Sequence, residues 1–224
     1  MVRIHLAASL ALVAIGTARS ASSSHDGSWH PTAADPCVFS PDANPYGKSY
    51  GDWAADWWQW ALAQPGNLNP LNDTTGANCM QGQFGKVWFL AGSLFDNAVN
   101  RTCAVPAGKA LLFPVVITAY ISLKSDSPQQ QTLEFLRTQA SSGVTGASSL
   151  TTTIDGVSVP DIMQRYREKS TPFSKVLPEG NILGISQLFS LGLGVDEGWY
   201  LVVKPLAAGS HTIHFNGVAS CIQG

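Results

Sequence analysis

The most regular apolar pattern in the chain spans residues 51–65 and has the period of an α-helix. At roughly 100° per residue, Trp53, Trp57 and Trp60 fall within about 60° of one another. Neighbouring alanine, leucine and tryptophan side chains widen this apolar arc to about half of the circumference, more than an ordinary surface helix shows. We therefore expect a helix that is pressed into the core over most of its width.

Both ends of this helix carry recognisable signals. Asp52 can accept backbone N–H bonds in the first turn, and Pro65 prevents continuation. Residues 66–85 follow without any periodic pattern, which is long for a connector in a compact domain. Such a loop is either functional or held by a disulfide, and Cys79 favours the second explanation.

Short β-rich runs bounded by glycine and proline turns make up much of the remaining chain. We expect strands at residues 86–92, 102–105, 110–117, 199–204 and 211–216. Pro114 interrupts the third strand and predicts a bulge or an edge. Alternation in the last strand gives one face with His211, Ile213 and Phe215 and an opposite face with Thr212, His214 and Asn216.

Two shorter helices are expected at residues 132–140 and 160–169, with a loop at residues 141–149. Many short strands with few helices are typical of two packed sheets. The pattern therefore predicts a mainly β chain, an antiparallel β-sandwich-like single domain with a tryptophan-rich helix and one or two short additional helices.

The N-terminus predicts a secretory signal peptide over residues 1–20. Arg3 gives a basic start, residues 4–16 are apolar, and small residues follow at the spacing of a cleavage site. The apolar run is short for a membrane span, and a retained anchor is the alternative. Residues 21–35 predict a flexible lead-in, and residues 36–224 a single disulfide-stabilised β-rich domain of a secreted protein.

Charge excludes one class of partner. Removal of residues 1–20 leaves 11 basic residues against 15 acidic ones, a net charge of −4. A nucleic-acid-binding protein needs a basic patch to neutralise phosphates, so we expect no nucleic-acid partner. No second long apolar segment follows the leader, so we expect no stable membrane insertion.

Four cysteines in an exported chain favour two disulfides. Of the three pairings, we favour Cys79–Cys103, because the intervening segment reads as a strand and a return loop, which leaves Cys37–Cys221. Zinc ligation is the alternative, but the chain has no C-x-x-C pair.

Two N-glycosylation sequons occur, at Asn72 and Asn100. They matter only where the secretory route of the source organism glycosylates. We expect glycosylation at both positions in that case.

Acidic and aromatic residues on the tryptophan helix suggest a site. Asp52 and Asp56 lie one turn apart, and paired carboxylates can act as general acid and base. Asp56 beside Trp57 and Trp60 also suits sugar recognition, with an aromatic platform and a carboxylate acceptor. The alternatives are a helix cap, a salt bridge and core packing.

Further candidates lie outside this helix. We expect His211 to be a hydrogen-bonded core residue. His214 shares its strand face with Thr212 and Asn216, which is either solvated or a binding surface. Asp56, Arg101 and His214 are the weak catalytic candidates, and Trp57, Trp60, Thr212 and Asn216 the candidate ligand-binding residues.

Little else in the chain indicates chemistry. Asp196 and Glu197 are expected in a solvated loop before the terminal strands, with a calcium site as the alternative. The chain has no nucleophile elbow, phosphate loop, dinucleotide fingerprint or H-E-x-x-H motif. The sequence therefore predicts no metal and no cofactor.

Four segments carry distinctive motifs: W-x3-WWQW at 53–60, C-x2-GQxGxVWFLAG at 79–92, RxCxVPAGKAL at 101–111 and GxHTIHFxG at 209–217. Their combination resembles an uncharacterised family of small secreted, mostly microbial proteins. The resemblance covers most of the chain from about Tyr46 onward and is weakest over residues 124–153. It implies export and a shared β-rich fold, and it carries no activity.

Three functional classes are compatible with these observations. The long loops and the Ser/Thr/Asn-rich surface favour a non-catalytic binding module for a carbohydrate or another small extracellular ligand. The alternative is a secreted hydrolase or tailoring enzyme that acts on a small apolar substrate in a sandwich pocket. A purely structural or surface protein is the third class.

Overall fold

The chain folds mainly into β-structure, as the sequence predicts. A computed structural model describes the backbone of residues 2–7 and 11–16, and residues 30–94 and 98–219. Its strands are β1 (Val2–Ala7), β2 (Ala11–Gly16), β3 (Val87–Phe89), β4 (Val99–Ala104), β5 (Ala110–Ile121), β6 (Ala147–Ile154), β7 (Val157–Ser158), β8 (Arg167–Lys169), β9 (Val176–Leu177), β10 (Phe189–Ser190), β11 (Gly194–Val203) and β12 (Ser210–Ala219). Its helices are α1 (Tyr50–Leu62), α2 (Leu133–Val144) and α3 (Ile162–Arg165), with short 3-10 turns at Pro41–Ala43 and Pro45–Gly47.

Two five-stranded sheets form the body of the molecule. The first has the order β1-β5-β11-β8, with β3 also paired to β5, and the second has the order β4-β2-β12-β6-β7. Most pairs are antiparallel, but β3 runs parallel to β5 and β2 runs parallel to β4. The sheets pack face to face, and Phe113 of β5 stacks on Phe215 of β12 with 4.7 Å between ring centroids.

Strand β5 is buried along its whole length because the first sheet is covered on both faces. On one face, Val195 of β11 packs with Leu136 of α2. On the other face, Asp196 meets Trp58 of α1. The register between β5 and β11 shifts opposite Pro114, which confirms the predicted bulge. Proline has no N–H to continue the ladder.

Helix α1 begins one turn earlier than Asp52 alone suggests. Ser49 is the N-cap residue: its Oγ accepts from the Asp52 N–H at 3.1 Å, and the Asp52 carboxylate accepts from the Ser49 N–H at 3.2 Å. This reciprocal pair is a capping box. Ten of the 13 helical residues are buried, which confirms the wide apolar arc. At Gly51, a Cβ would lie 2.5 Å from the Lys169 carbonyl oxygen, so this end packs directly on β8.

Three other expectations need correction. The loop expected at residues 141–149 is occupied by the end of α2 and the start of β6. The helix expected at residues 160–169 is only one turn, α3, followed by β8. Asp196 and Glu197 lie within β11 and are 0% and 3% exposed, so they form no solvated loop.

The predicted leader contributes two strands in this structure. Strand β1 pairs with β5, and β2 pairs with both β12 and β4. The predicted cleavage region and most of the lead-in, residues 17–29, lie outside the described residues. The end of the lead-in is anchored, since Asp35 forms an ion pair with Lys204 at 2.8 Å. Among the described helices, none has the length and apolarity needed to cross a bilayer.

Candidate functional site

A row of aromatic rings runs from the core to the surface beside α1. The ring centroids of Trp57 and Trp60 are 5.9 Å apart, and those of Trp60 and Phe89 are 5.4 Å apart. Phe84 contacts Phe89 edge-on, with 6.4 Å between ring centroids. Trp57 and Trp60 are 0% and 4% exposed, whereas Phe84 is 67% exposed. The indole N–H of Trp57 donates to the Leu90 carbonyl at 3.0 Å. Core packing is therefore the role of Trp57, and Phe84 is the ring that a ligand can reach.

The exposed end of this row borders a groove of about 200 Å³. This volume is below that of pockets that enclose a drug-sized molecule, about 300–1,000 Å³. The groove can therefore cover one ring or the end of a chain. Its lining residues are Asp56, Gln59, Trp60, Ala63, Gln64, Gly82, Phe84 and Lys175.

The loop that carries Phe84 is held firmly to the core. The indole N–H of Trp60 donates to the Gln81 carbonyl at 2.8 Å. The Gln83 amide donates to the Phe89 carbonyl at 2.7 Å and accepts from the Phe89 N–H at 2.9 Å. The predicted Cys79–Cys103 disulfide, present with 5.7 Å between Cα atoms, ties the same loop to β4. The loop is therefore pre-organised, which reduces the ordering entropy that binding costs.

Gly82 brings this loop close to α1. Its φ of +62° is a left-handed conformation that favours glycine. A Cβ at this position would lie 2.1 Å from Nε2 of Gln64, which itself donates to the Trp60 carbonyl at 3.2 Å. A larger residue would have to displace the Gln64 side chain and would be strained by the positive φ.

The acidic residues of α1 do not form a catalytic pair. Asp52 belongs to the capping box, and its hydrogen bond from the Ser49 hydroxyl lowers the pKa of Asp52. Asp56 lines the groove and forms an ion pair with Lys48, whose ammonium also lies 5.0 Å from the centroid of the Trp53 ring. Asp56 therefore supplies one carboxylate acceptor, and Asp52 is absent from the groove lining.

Arg101 is a structural residue in this fold. It is 2% exposed, and its guanidinium donates to three carbonyl oxygens, those of Asp73 at 2.6 Å, Ala91 at 2.7 Å and Gly92 at 3.1 Å. Burial lowers its pKa to about 10. Because these three hydrogen bonds reach carbonyls of the 66–85 loop and of the segment after β3, Arg101 holds both segments to β4.

Strand β12 places His211 to Asn216 on alternating faces, as the sequence predicts. His211 is buried, and both of its ring nitrogens have a hydrogen-bond partner. Nδ1 lies 2.7 Å from Asp155 Oδ2, and Nε2 lies 2.7 Å from the Ala207 carbonyl oxygen. Thr212, His214 and Asn216 are half-buried on the outer face of the second sheet. That face lies across the sandwich from α1, so these residues do not join the groove.

The acidic pair of β11 is internal. The Tyr200 hydroxyl donates to Asp196 Oδ1 at 2.7 Å, and Arg167 pairs with Glu197 at 2.7 Å. Burial raises the pKa of Asp196 to about 7. Within the described residues, no group of three or more His, Cys, Asp or Glu side chains could hold a metal ion.

The remaining modification sites are only partly described. Cys37 is fully buried, and Cys221 lies outside the described residues, so their pairing stays a prediction. Asn72 and Asn100 are both exposed, but the Asn72 amide donates to the Gly66 carbonyl at 2.9 Å. Asn100 lies on β4 and presents the more open sequon.

Comparison with known proteins identifies no relative: no family model, curated protein or solved structure matches the chain. The resemblance to a secreted family therefore stays a prediction. Sequence reasoning missed Phe84, Gln59, Gln64 and Lys175. One signal could have found Phe84, since it is the single aromatic residue in the sequence of the 66–85 loop.

Proposed function

We propose that the protein is a secreted, non-catalytic binding module and that the groove beside α1 binds carbohydrate. The observation that carries this proposal is the exposed ring of Phe84, which is fixed by Phe89 at the rim of a groove with polar lining. A flat aromatic ring packs well against the apolar C–H face of a sugar.

The polar groups of the groove complement the rest of a sugar. Gln59 carries an amide that both donates and accepts hydrogen bonds, Asp56 is an acceptor, and Lys175 is a donor. Vicinal hydroxyl groups need both kinds of partner. The ion pair with Lys48 leaves the Asp56 side chain 22% exposed, which keeps part of the carboxylate accessible.

The three catalytic candidates do not support the enzyme alternative. Asp56 lies in the groove over α1, Arg101 is a buried residue of β4, and His214 is on the outer face of the second sheet. An acid, a base and a substrate have to meet within hydrogen-bond reach. The groove beside α1 contains Asp56 and neither Arg101 nor His214.

The test is binding to an array of glycans, followed by titration calorimetry with the strongest glycan. We expect Phe84→Ala to weaken binding by about 10-fold or more, since aromatic anchors dominate such contacts. Gln59→Ala should weaken it by a smaller factor. Met80→Ala is the matched control, because Met80 is 65% exposed in the same loop and does not line the groove.

Two results would contradict the proposal. One is that no glycan on the array binds to the folded protein. The other is that a glycan binds and Phe84→Ala, Gln59→Ala and Met80→Ala all leave its affinity unchanged, which would place the site elsewhere.

A further inference from the structure

The position of β2 has a consequence for the exported protein. Strand β2, residues 11–16, is an inner strand of the second sheet, with six residue pairs to β12 on one side and six to β4 on the other. The same residues belong to the predicted signal peptide. Cleavage near residue 20 therefore removes a strand from the middle of a sheet.

The loss of β2 differs from the loss of β1. Strand β1 pairs with β5 alone, so its removal leaves an ordinary open edge. Removal of β2 leaves a gap between β4 and β12, here called the slot, and these two strands form its walls. Since neighbouring strands lie about 4.8 Å apart, β4 and β12 would then be about 9.6 Å apart, too far to hydrogen-bond to each other.

Both strands that border the slot are anchored by contacts other than those with β2. Strand β12 is paired along its other edge with β6. Strand β4 is tied by the Cys79–Cys103 disulfide, and its Thr102 N–H donates to the Thr75 carbonyl at 2.9 Å. Gly76 packs so closely on β4 that a Cβ would lie 2.2 Å from the Thr102 oxygen. The walls are therefore hindered from closing together, and the backbone groups that face the slot need a partner.

We infer that the cleaved protein accepts a β-strand from another protein in the slot between β4 and β12. The chemistry of the occupant is given by the segment that fills the slot in this structure, Ala-Leu-Val-Ala-Ile-Gly, which is extended, uncharged and apolar. It enters parallel to β4 and antiparallel to β12. Strand addition of this kind uses main-chain hydrogen bonds for affinity.

A second copy of the chain is a poorer source of this strand. Every strand within the described residues is already paired in a sheet. Large exposed apolar side chains such as Met80 and Leu188 belong to loops, while Val176 of β9 and Val218 of β12 lie on strands that are already paired. After cleavage, a second copy therefore has no spare apolar strand in its described part.

The test uses the full-length chain with a protease site in place of residues 22–28, cut only after folding. Amide hydrogen exchange is measured over residues 99–104 and 211–215. We expect slow exchange before the cut and exchange faster by about 10-fold or more once the N-terminal fragment is dialysed away, because exposed edges lose protection.

A synthetic peptide with residues 11–16 between lysine pairs is then added. We expect it to restore the slow exchange and to raise Tm by about 5 °C at a large excess over Kd. The control is the same peptide with Val13→Pro, which cannot complete the ladder and should do neither. If the fragment stays bound after the cut, its displacement by labelled peptide, and not by the proline peptide, is the supporting result.

Two outcomes would overturn the inference. Unchanged exchange after loss of the fragment, with no peptide binding, would show that the slot closes by itself. A dimer that excludes the peptide would show that a second copy fills it. Neither outcome depends on glycan binding at the α1 groove.

Discussion

At the scale of single residues, the most unusual group is the Asp196 carboxyl. It is fully buried between β11 and α1, and its only clear hydrogen bond within the described residues comes from the Tyr200 hydroxyl. Trp58 Nε1 faces the same carboxyl, and neither this nitrogen nor Asp196 Oδ2 has any other partner. Arg137 donates to the backbone carbonyl of Asp196 at 3.3 Å and forms no ion pair with its carboxylate. A buried charge without such a pair is costly, so below about pH 7 the neutral acid is the stable form in the fold.

This burial predicts a pH dependence of stability. The pKa of Asp196 is raised from 3.8 to about 7 on folding, so the folded state holds its proton more tightly than the unfolded state. The free energy of unfolding should therefore fall as pH rises from about 4 to about 7, by at most roughly 1.4 kcal/mol per pH unit, and then level off.

Urea denaturation at pH 4.5, 6 and 8 measures this effect. Asp196→Asn, which carries no charge at any pH, should lose this part of the dependence. The control is Asp42→Asn at an exposed position, which should keep the pH dependence of the free energy of unfolding. A wild-type protein and an Asp196→Asn variant with parallel pH profiles would contradict the assignment.

At the scale of elements, the 66–85 loop is the feature that links core and site. It has no helix or strand of its own, yet Trp60, Gln83, Arg101 and the Cys79–Cys103 disulfide hold it. These contacts set the position of Phe84. A long loop can therefore carry a defined binding surface when side-chain hydrogen bonds replace a regular ladder.

Removal of the disulfide should affect both stability and the site. We expect Cys79→Ser with Cys103→Ser to lower the free energy of unfolding by about 3 kcal/mol, because the bond closes a loop with a sequence separation of 24. Chemical denaturation measures this loss. Glycan affinity should also fall in the folded double variant, since the Phe84 loop is then less ordered, and an unchanged affinity would show that the side-chain hydrogen bonds suffice.

At the scale of the whole molecule, Cys37 lies near the start of β12, far from Ala219, the last described residue of that strand. The carbonyl of Cys37 accepts from the Lys204 N–H at 2.7 Å, near the end of β11 and the Asp155–His211 pair. From His211, β12 carries the chain about 26 Å to Ala219 at roughly 3.3 Å per residue. A Cys37–Cys221 bond would require the end of β12 to leave its sheet.

Thiol labelling of the protein produced in an oxidising compartment tests this geometry. We expect Cys37 to be protected from alkylation in the native state, because it is fully buried, and to react after unfolding without reductant. Peptide mapping should show the Cys79–Cys103 link in the same sample. A peptide that links Cys37 with Cys221 would instead confirm the pairing predicted from sequence and show that β12 is shorter in the disulfide-bonded protein.

The sequence by itself determined the features that depend on neighbours along the chain. The tryptophan helix, the alternation of His211 to Asn216, the bulge at Pro114 and the Cys79–Cys103 bond all follow from local period, backbone constraint or short chain separation. The local pattern indicated only one residue of the capping box, because it points to Asp52 as a capping residue and does not single out Ser49.

Only the tertiary structure decided which polar groups are buried and which rings are exposed. Arg101 and Asp196 look like surface or site residues in sequence, and they are internal because distant carbonyls and helices cover them. Phe84 looks like one more apolar residue, and it is exposed because the loop folds back over Trp60 and Phe89. For these residues, burial depends on contacts with segments far apart in the chain, which the local pattern around each of them does not encode.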